Sequence, residues 1–174
     1  MKRSTYIVGN WKMHFTANQA STFVKELIPL VKDVSVHVWI APSFTAIEAA
    51  FLAAKESSIK VGAQNMSAFL KGAYTGEVSP GMLLEAGAHF VILGHSERRQ
   101  HFNESNDMIS SKVRQAVKNG FRPILCIGET LDQRKQGKAE EVLEQQIEQG
   151  LKQLSFEEMG QVLIAYEPIW AIGT

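Results

Sequence analysis

The chain has 174 residues, with 18 Lys plus Arg balanced by 18 Asp plus Glu, so a net charge of zero offers no electrostatic reason to bind nucleic acid or an acidic membrane. Apolar residues make up 45 % and charged residues 21 %, which supplies a core, argues against disorder and predicts one domain over 1–174. The single cysteine, Cys126, excludes an internal disulfide and a cysteine-built zinc site. Met1 to Tyr6 leads straight into a strand pattern rather than a signal peptide, and no uninterrupted apolar window approaches the about 18 residues of a membrane span. The expectation is a soluble, cytoplasmic protein.

In chain order, a first strand is predicted over residues 6–9. It is followed by a helix whose apolar stripe is Ala20, Phe23, Val24, Leu27, Ile28 and Val31. A second strand over 36–40 precedes Thr45-Ala46-Ile47-Glu48, which has the form of a capping box. After a third strand at 59–63, Ser79-Pro80 reads as a cap followed by a first-turn proline, with Gly87 as the stop. The fourth strand, 90–93, leads to a helix bracketed by Ser105 and Gly120, with Ile109, Val113, Ala116 and Val117 facing the core. The fifth, 124–127, is followed by a helical stretch that Gly137 should divide, whose later part is striped by Val142, Leu143, Ile147, Leu151 and Leu154. The sixth strand spans 162–166. This βα alternation predicts a parallel α/β protein, either an open doubly wound sheet or a β/α barrel.

Both architectures bind ligands at the carboxyl ends of their strands. Those ends carry Asn10 and Lys12, Pro42-Ser43, Gln64-Asn65, His95-Ser96-Glu97, Glu129 and Glu167. Any one polar residue is also what a solvated loop would place there; the set is harder to explain that way. Alternation along an extended chain should send Asn10 and Lys12 to one side and Trp11 to the other. His95 stands at a strand-to-helix turn, where the helix dipole disfavours imidazolium, although a histidine that only caps the helix fits the same position. Glu167 ends a buried strand, and apolar neighbours should desolvate its carboxylate and make it a stronger base. The segment after it, Pro168-Ile169-Trp170-Ala171-Ile172-Gly173-Thr174, is apolar enough for a lid over a small substrate or for a piece of core. A carboxylate base, a neutral imidazole and a lysine together suit isomerisation or aldol-like chemistry on a small anionic sugar.

Other chemistries fit less well. Gly94-x-Ser96 resembles the front of a hydrolase nucleophile elbow, but Arg98 occupies the place of its closing glycine. His-x-Glu without Cys-x-x-Cys is not a zinc deaminase signature. His14, His37, His89 and His101 have no metal-ligand spacing, and neither a phosphate-binding loop nor a dinucleotide fingerprint is present. No metal and no cofactor are expected.

Three long motifs carry a resemblance: Gly9-Asn10-Trp11-Lys12-Met13, Gly94-His95-Ser96-Glu97-Arg98-Arg99, and Ala165-Tyr166-Glu167-Pro168-Ile169-Trp170-Ala171-Ile172-Gly173-Thr174. Together with Gly62-Ala63-Gln64-Asn65, Gly72-Ala73-Tyr74-Thr75-Gly76-Glu77 and Cys126-Ile127-Gly128-Glu129, they resemble the triosephosphate isomerases. The resemblance implies a (β/α)8 barrel, of which this chain holds about the first six strands, since such barrels run to about 250 residues. It implies a glycolytic and gluconeogenic isomerase that interconverts dihydroxyacetone phosphate and glyceraldehyde 3-phosphate through an enediolate, a mechanism known for this family. By that resemblance Glu167 is the base, His95 the neutral electrophile, Asn10 and Lys12 hold the substrate, and Gly173 offers a backbone N–H to its phosphate. A homodimer through the loop from Gln64 to Glu77, with Thr75 at its tip, is also implied. The alternative is an inactive fragment, or one piece of a split barrel that binds its complement. With the phosphate-gripping part of the barrel lying beyond it, the 174-residue chain alone is expected to show no useful isomerase activity.

Overall fold

The computed structural model describes residues 4–172; the expected phosphate contact Gly173 lies outside the described residues. Six strands form one parallel sheet in strictly sequential order: β1 (Tyr6–Asn10), β2 (His37–Ala41), β3 (Lys60–Ala63), β4 (Phe90–Leu93), β5 (Arg122–Ile127) and β6 (Leu163–Tyr166). A doubly wound sheet reverses its strand order at a switch point, so sequential order selects the barrel alternative. Curvature confirms it. Strands β1 and β5 are four places apart, roughly 19 Å in a flat sheet, yet the Arg122 guanidinium donates to the Tyr6 hydroxyl at 3.0 Å across the concave face. The fold is thus a curled part of a TIM barrel holding six strands.

Eight helices occur among the described residues: α1 (Ala17–Val31), α2 (Ile47–Ala54), α3 (Pro80–Glu85), α4 (Ser96–His101), α5 (Asn106–Lys118), α6 (Leu131–Lys135), α7 (Ala139–Leu151) and α8 (Phe156–Met159). Ser79 and Ser105 cap α3 and α5 as their sequences predict, and Gly87, Gly120 and Gly137 follow helices with positive φ. The capping box expected at Thr45 does not form. Residues Phe44–Ala46 make a 3-10 turn, α2 starts without a side-chain cap, and the Thr45 hydroxyl lies against that of Ser43. Reciprocal capping boxes appear instead at Thr16/Gln19, Thr130/Gln133 and Ser155/Glu158. Helix α4 begins at the strand-to-helix turn expected at His95, whereas the sequence does not predict α8, whose few residues carry too little pattern to read.

Strand alternation sorts the core into two layers. Val38, Ile40, Val61, Ala63, Val91, Leu93, Leu125 and Ile127 point outward against the helices and form the larger cluster. Trp39, Ala41, Phe90, Ile92, Ile124 and Cys126 point inward, joined by the partly buried Tyr6, Val8, Leu163 and Ala165. The inner layer is filled around Phe90, fully buried and stacked on Trp39 with ring centroids 4.6 Å apart. Gly62 makes room for it, because a Cβ there would stand 2.5 Å from the Phe90 ring. Burial is complete in β4 but only partial along β1 and β6, each of which pairs with a single neighbour among the described residues.

Gly62→Ala should therefore force Phe90 off its stack with Trp39. The expected cost is about 1–3 kcal/mol, the range for overpacking a filled core. Urea unfolding followed by tryptophan fluorescence checks it; a midpoint equal to that of the parent would show that Phe90 yields freely.

Candidate active site

Inward parity continues past the strand ends, and this is what assembles the site. Asn10 follows Tyr6 and Val8 on the inner face of β1, and Glu167 follows Leu163 and Ala165 from β6. Asn10, His95 and Glu167 line one open cavity of about 360 Å³ whose floor is Val8, Ile92 and Cys126. A second cavity of about 290 Å³ continues over Asn10 and His95 to Lys12, Gln64 and Glu97.

Lys12 reaches this space for a reason different from the expected alternation. β1 ends at Asn10, and Lys12 adopts a left-handed backbone (φ 52°), with its N–H donating to the Asn10 side chain at 3.1 Å. The Gln64 amide pins the turn by donating to the carbonyls of Lys12 and Ala41, both at 2.8 Å. Trp11 does turn away, packing edge-on to Phe15 and Phe23. The Lys12 ammonium then meets Glu97 at 2.7 Å. That hydrogen bond, more than the nearby positive groups, holds the Glu97 carboxyl below its ordinary range. Glu97, one of the polar strand-end residues to which the sequence assigned no role, is the partner of Lys12.

His95 caps α4, and capping is compatible with a chemical role. Its Nδ1 accepts the Glu97 N–H at 3.3 Å, so the lone pair on Nδ1 is occupied and the ring proton belongs on Nε2. Nε2 faces Glu167 Oε2 at 3.4 Å and has no hydrogen-bond partner. His95 thus turns Nε2 toward the cavity that it shares with Asn10 and Glu167. Glu167 departs from expectation: its side chain is 47 % exposed, so the apolar neighbours do not desolvate it in this conformation.

The support beneath Glu167 is close-packed. Its N–H donates to the Ile127 carbonyl at 2.9 Å, and any Cβ on Gly128 would collide with the Glu167 carbonyl, which explains a glycine in Cys126-Ile127-Gly128-Glu129. Burial, followed by the negative charge of Glu167, pushes the Cys126 thiol up to about 12, so Cys126 is not a nucleophile. After Glu167, residues Ile169–Ala171 form a 3-10 turn rather than a piece of core. The fully buried Glu129 carboxylate anchors that turn by accepting from Trp170 Nε1 at 2.9 Å and the Tyr166 hydroxyl at 3.3 Å. Burial opposes its charge, but these hydrogen bonds outweigh the penalty and hold Glu129 below the ordinary range. Among the described residues no cluster of His, Cys, Asp or Glu is arranged to hold a metal ion, and no helix is long and apolar enough to cross a membrane.

Behind the cleft, Lys112 donates to Asn65 at 2.9 Å and to Glu104 at 2.6 Å, and Arg98 also donates to Glu104 at 2.6 Å. Burial would raise the Glu104 carboxyl, yet the bonds from Lys112 and Arg98 prevail and lower it below 4.5. A carboxyl lowered in the fold contributes stability that is full above its unfolded value and is lost as pH falls through the folded one. Unfolding midpoints should thus decline as pH drops below about 4.5. Glu104→Gln should flatten that decline and cost about 3–5 kcal/mol at pH 7 by leaving Lys112 unpaired. Parallel pH profiles for the two proteins would contradict the assignment.

The comparisons with known proteins agree with this geometry. The family model described as Triosephosphate isomerase matches residues 5–174. Triosephosphate isomerase of Clostridium botulinum (strain ATCC 19397 / Type A) is 51 % identical over 172 residues, covering 99 % of this chain and 69 % of the relative. That of Caldanaerobacter subterraneus subsp. tengcongensis is 48 % identical over the same shares. The crystal structure of triosephosphate isomerase from Bartonella henselae superposes with a TM-score of 0.89 at 36 % identity, over 97 % of this chain and 69 % of that one. Nearly the whole length of the sequence and its curled parallel sheet therefore lead to one conclusion: the chain belongs to the triosephosphate isomerase family.

Proposed function

We propose that this chain carries the proton-transfer site for interconverting dihydroxyacetone phosphate and glyceraldehyde 3-phosphate. The observation that carries the reading is His95 Nε2 at 3.4 Å from Glu167 Oε2, with Asn10 and Lys12 at the same cleft. A triose in the cleft with its carbonyl oxygen at His95 Nε2 would lose a proton from the adjacent carbon to Glu167, which returns it to the former carbonyl carbon while the hydroxyl proton passes from one oxygen to the other. The enediolate oxygen that forms meanwhile accepts from His95 Nε2–H. Lys12 lines the cavity that also holds Asn10 and His95, and it would exchange its Glu97 partner for the anionic substrate. No cofactor is required, because both proton positions are served by side chains of the chain. In this reading Gly173 supplies a backbone N–H to the phosphate.

The loop from Gln64 to Glu77 supports a homodimer. Its Phe69 and Tyr74 rings stack at 4.1 Å on an exposed surface, and Thr75 stands exposed beside them. The tip would enter the 290 Å³ cavity of a second copy, next to Lys12 and His95. A second reading is favoured by the half-open inner layer: among the described residues β1 and β6 each keep one unpaired edge, and Tyr6, Val8, Leu163 and Ala165 are only partly buried. On that reading the chain binds a complementary polypeptide, and activity belongs to the assembly.

Steady-state assays on the chain, with and without a polypeptide spanning the remaining length of its relatives, separate the two. Where activity appears, Glu167→Asp should lower kcat by at least about 100-fold with little change in KM, because one methylene withdraws the base from its proton. A kcat within about threefold of the parent would remove Glu167 from the role of base.

A further inference from the structure

Arg99 does not line either of the cavities that hold Asn10, Lys12 and His95. Its guanidinium nevertheless gathers three acceptors from three different elements. Nε donates to the Gly94 carbonyl at 2.7 Å, Nη1 to the Asn106 side chain at 2.6 Å, and Nη2 to the Cys126 carbonyl at 3.2 Å. Gly94 immediately precedes His95, and Asn106 opens α5. Cys126 immediately precedes Ile127, whose carbonyl receives the Glu167 N–H at 2.9 Å. A continuous series of bonds therefore runs from the His95 turn through Arg99 to the backbone that carries Glu167.

The surroundings leave this bridge little play. Gly94 is left-handed (φ 71°), and a Cβ there would approach Arg99 Nη2 to 3.0 Å and Ile109 to 3.1 Å. Arg99, Ser96, Gly128 and Glu167 border a gap of only about 10 Å³, which leaves the guanidinium little free space beside it. A planar fork can serve three acceptors in fixed directions; a lysine ammonium on a flexible stem cannot.

We propose that Arg99 is a positioning residue that sets the spacing between His95 and Glu167 by tying the end of β4 to the end of β5. The inference rests on the proton-transfer reading for its effect on turnover. Its effect on the His95 ring stands independently.

The test uses Arg99→Met and Arg99→Lys in the full chain. Readouts are imidazole 15N NMR, thermal unfolding, and kinetics with glyceraldehyde 3-phosphate. Arg99→Met should shift and broaden the His95 ring resonances while leaving those of His37 and His89 in place. It should lower kcat by about 10- to 100-fold with KM within about threefold, the loss expected for a misplacement near 1 Å. Arg99→Lys, which keeps one strong donor, should fall between parent and Arg99→Met on both readouts. Should Arg99→Met not fold, Arg99→Lys alone decides by the same His95 shift. Unchanged His95 resonances in a folded variant, even with a lowered unfolding temperature, would overturn the proposal and leave Arg99 merely structural. If the parent chain turns over no triose phosphate even with a polypeptide spanning the remaining length of its relatives, the isomerase reading fails, and the His95 resonances still decide the role of Arg99.

Discussion

The alternation of side chains along parallel strands is the constraint on which the rest of this structure depends. Residues two apart share a face, so Tyr6, Val8 and Asn10 must point inward together, as must Leu163, Ala165 and Glu167. A one-residue slip in β1 or β6 would carry Asn10 or Glu167 to the outer face among the helices. The inner apolar layer fixes the register: Trp39, Phe90 and Ile124 fit the concave side only in this phase, with Gly62 giving Phe90 its space. Packing at the floor of the sheet thereby decides which polar groups meet at its rim.

At the rim, electrostatics does the remaining sorting. Lys12 and Glu97 neutralise each other at 2.7 Å on a half-exposed surface, where such a pair contributes little to stability and is free to exchange partners. Glu104 and Glu129 are different. Both are buried, and hydrogen bonds outweigh the burial penalty in each. One secures Arg98 and Lys112 behind the cleft; the other secures Trp170 and Tyr166 beside Glu167. The mobile-looking chemistry of a half-exposed carboxylate and lysine thus sits on buried anchors that are costly to break.

Much of this was legible in the sequence. All six strands lie where apolar runs place them, and Ser79, Ser105, Gly87, Gly120 and Gly137 punctuate helices as their residue types dictate. The strand ends that carry Asn10, Lys12, His95 and Glu167 border two neighbouring cavities that share Asn10 and His95. What the sequence alone did not show depends on tertiary contacts. Thr45 has the sequence of a cap, but a 3-10 turn occupies the place where the helix would begin. Lys12 reaches the cleft through a left-handed turn held by Gln64, a residue 52 positions away. The exposure of Glu167 follows from the open edge of β6, and no local pattern encodes it. Arg99 reads as one of two adjacent arginines, and only folding shows that it joins Gly94 to Cys126.

The central claim is that these residues form a site able to take a proton from carbon beside a carbonyl. The most direct measurement is proton NMR of dihydroxyacetone phosphate in deuterium oxide with the chain and a polypeptide spanning the remaining length of its relatives present. The account predicts stereospecific deuterium uptake at one carbon-bound position, lost in Glu167→Gln while Asn119→Asp, far from the cleft, retains it. Uptake no faster than in buffer, or equal uptake in Glu167→Gln, would contradict it.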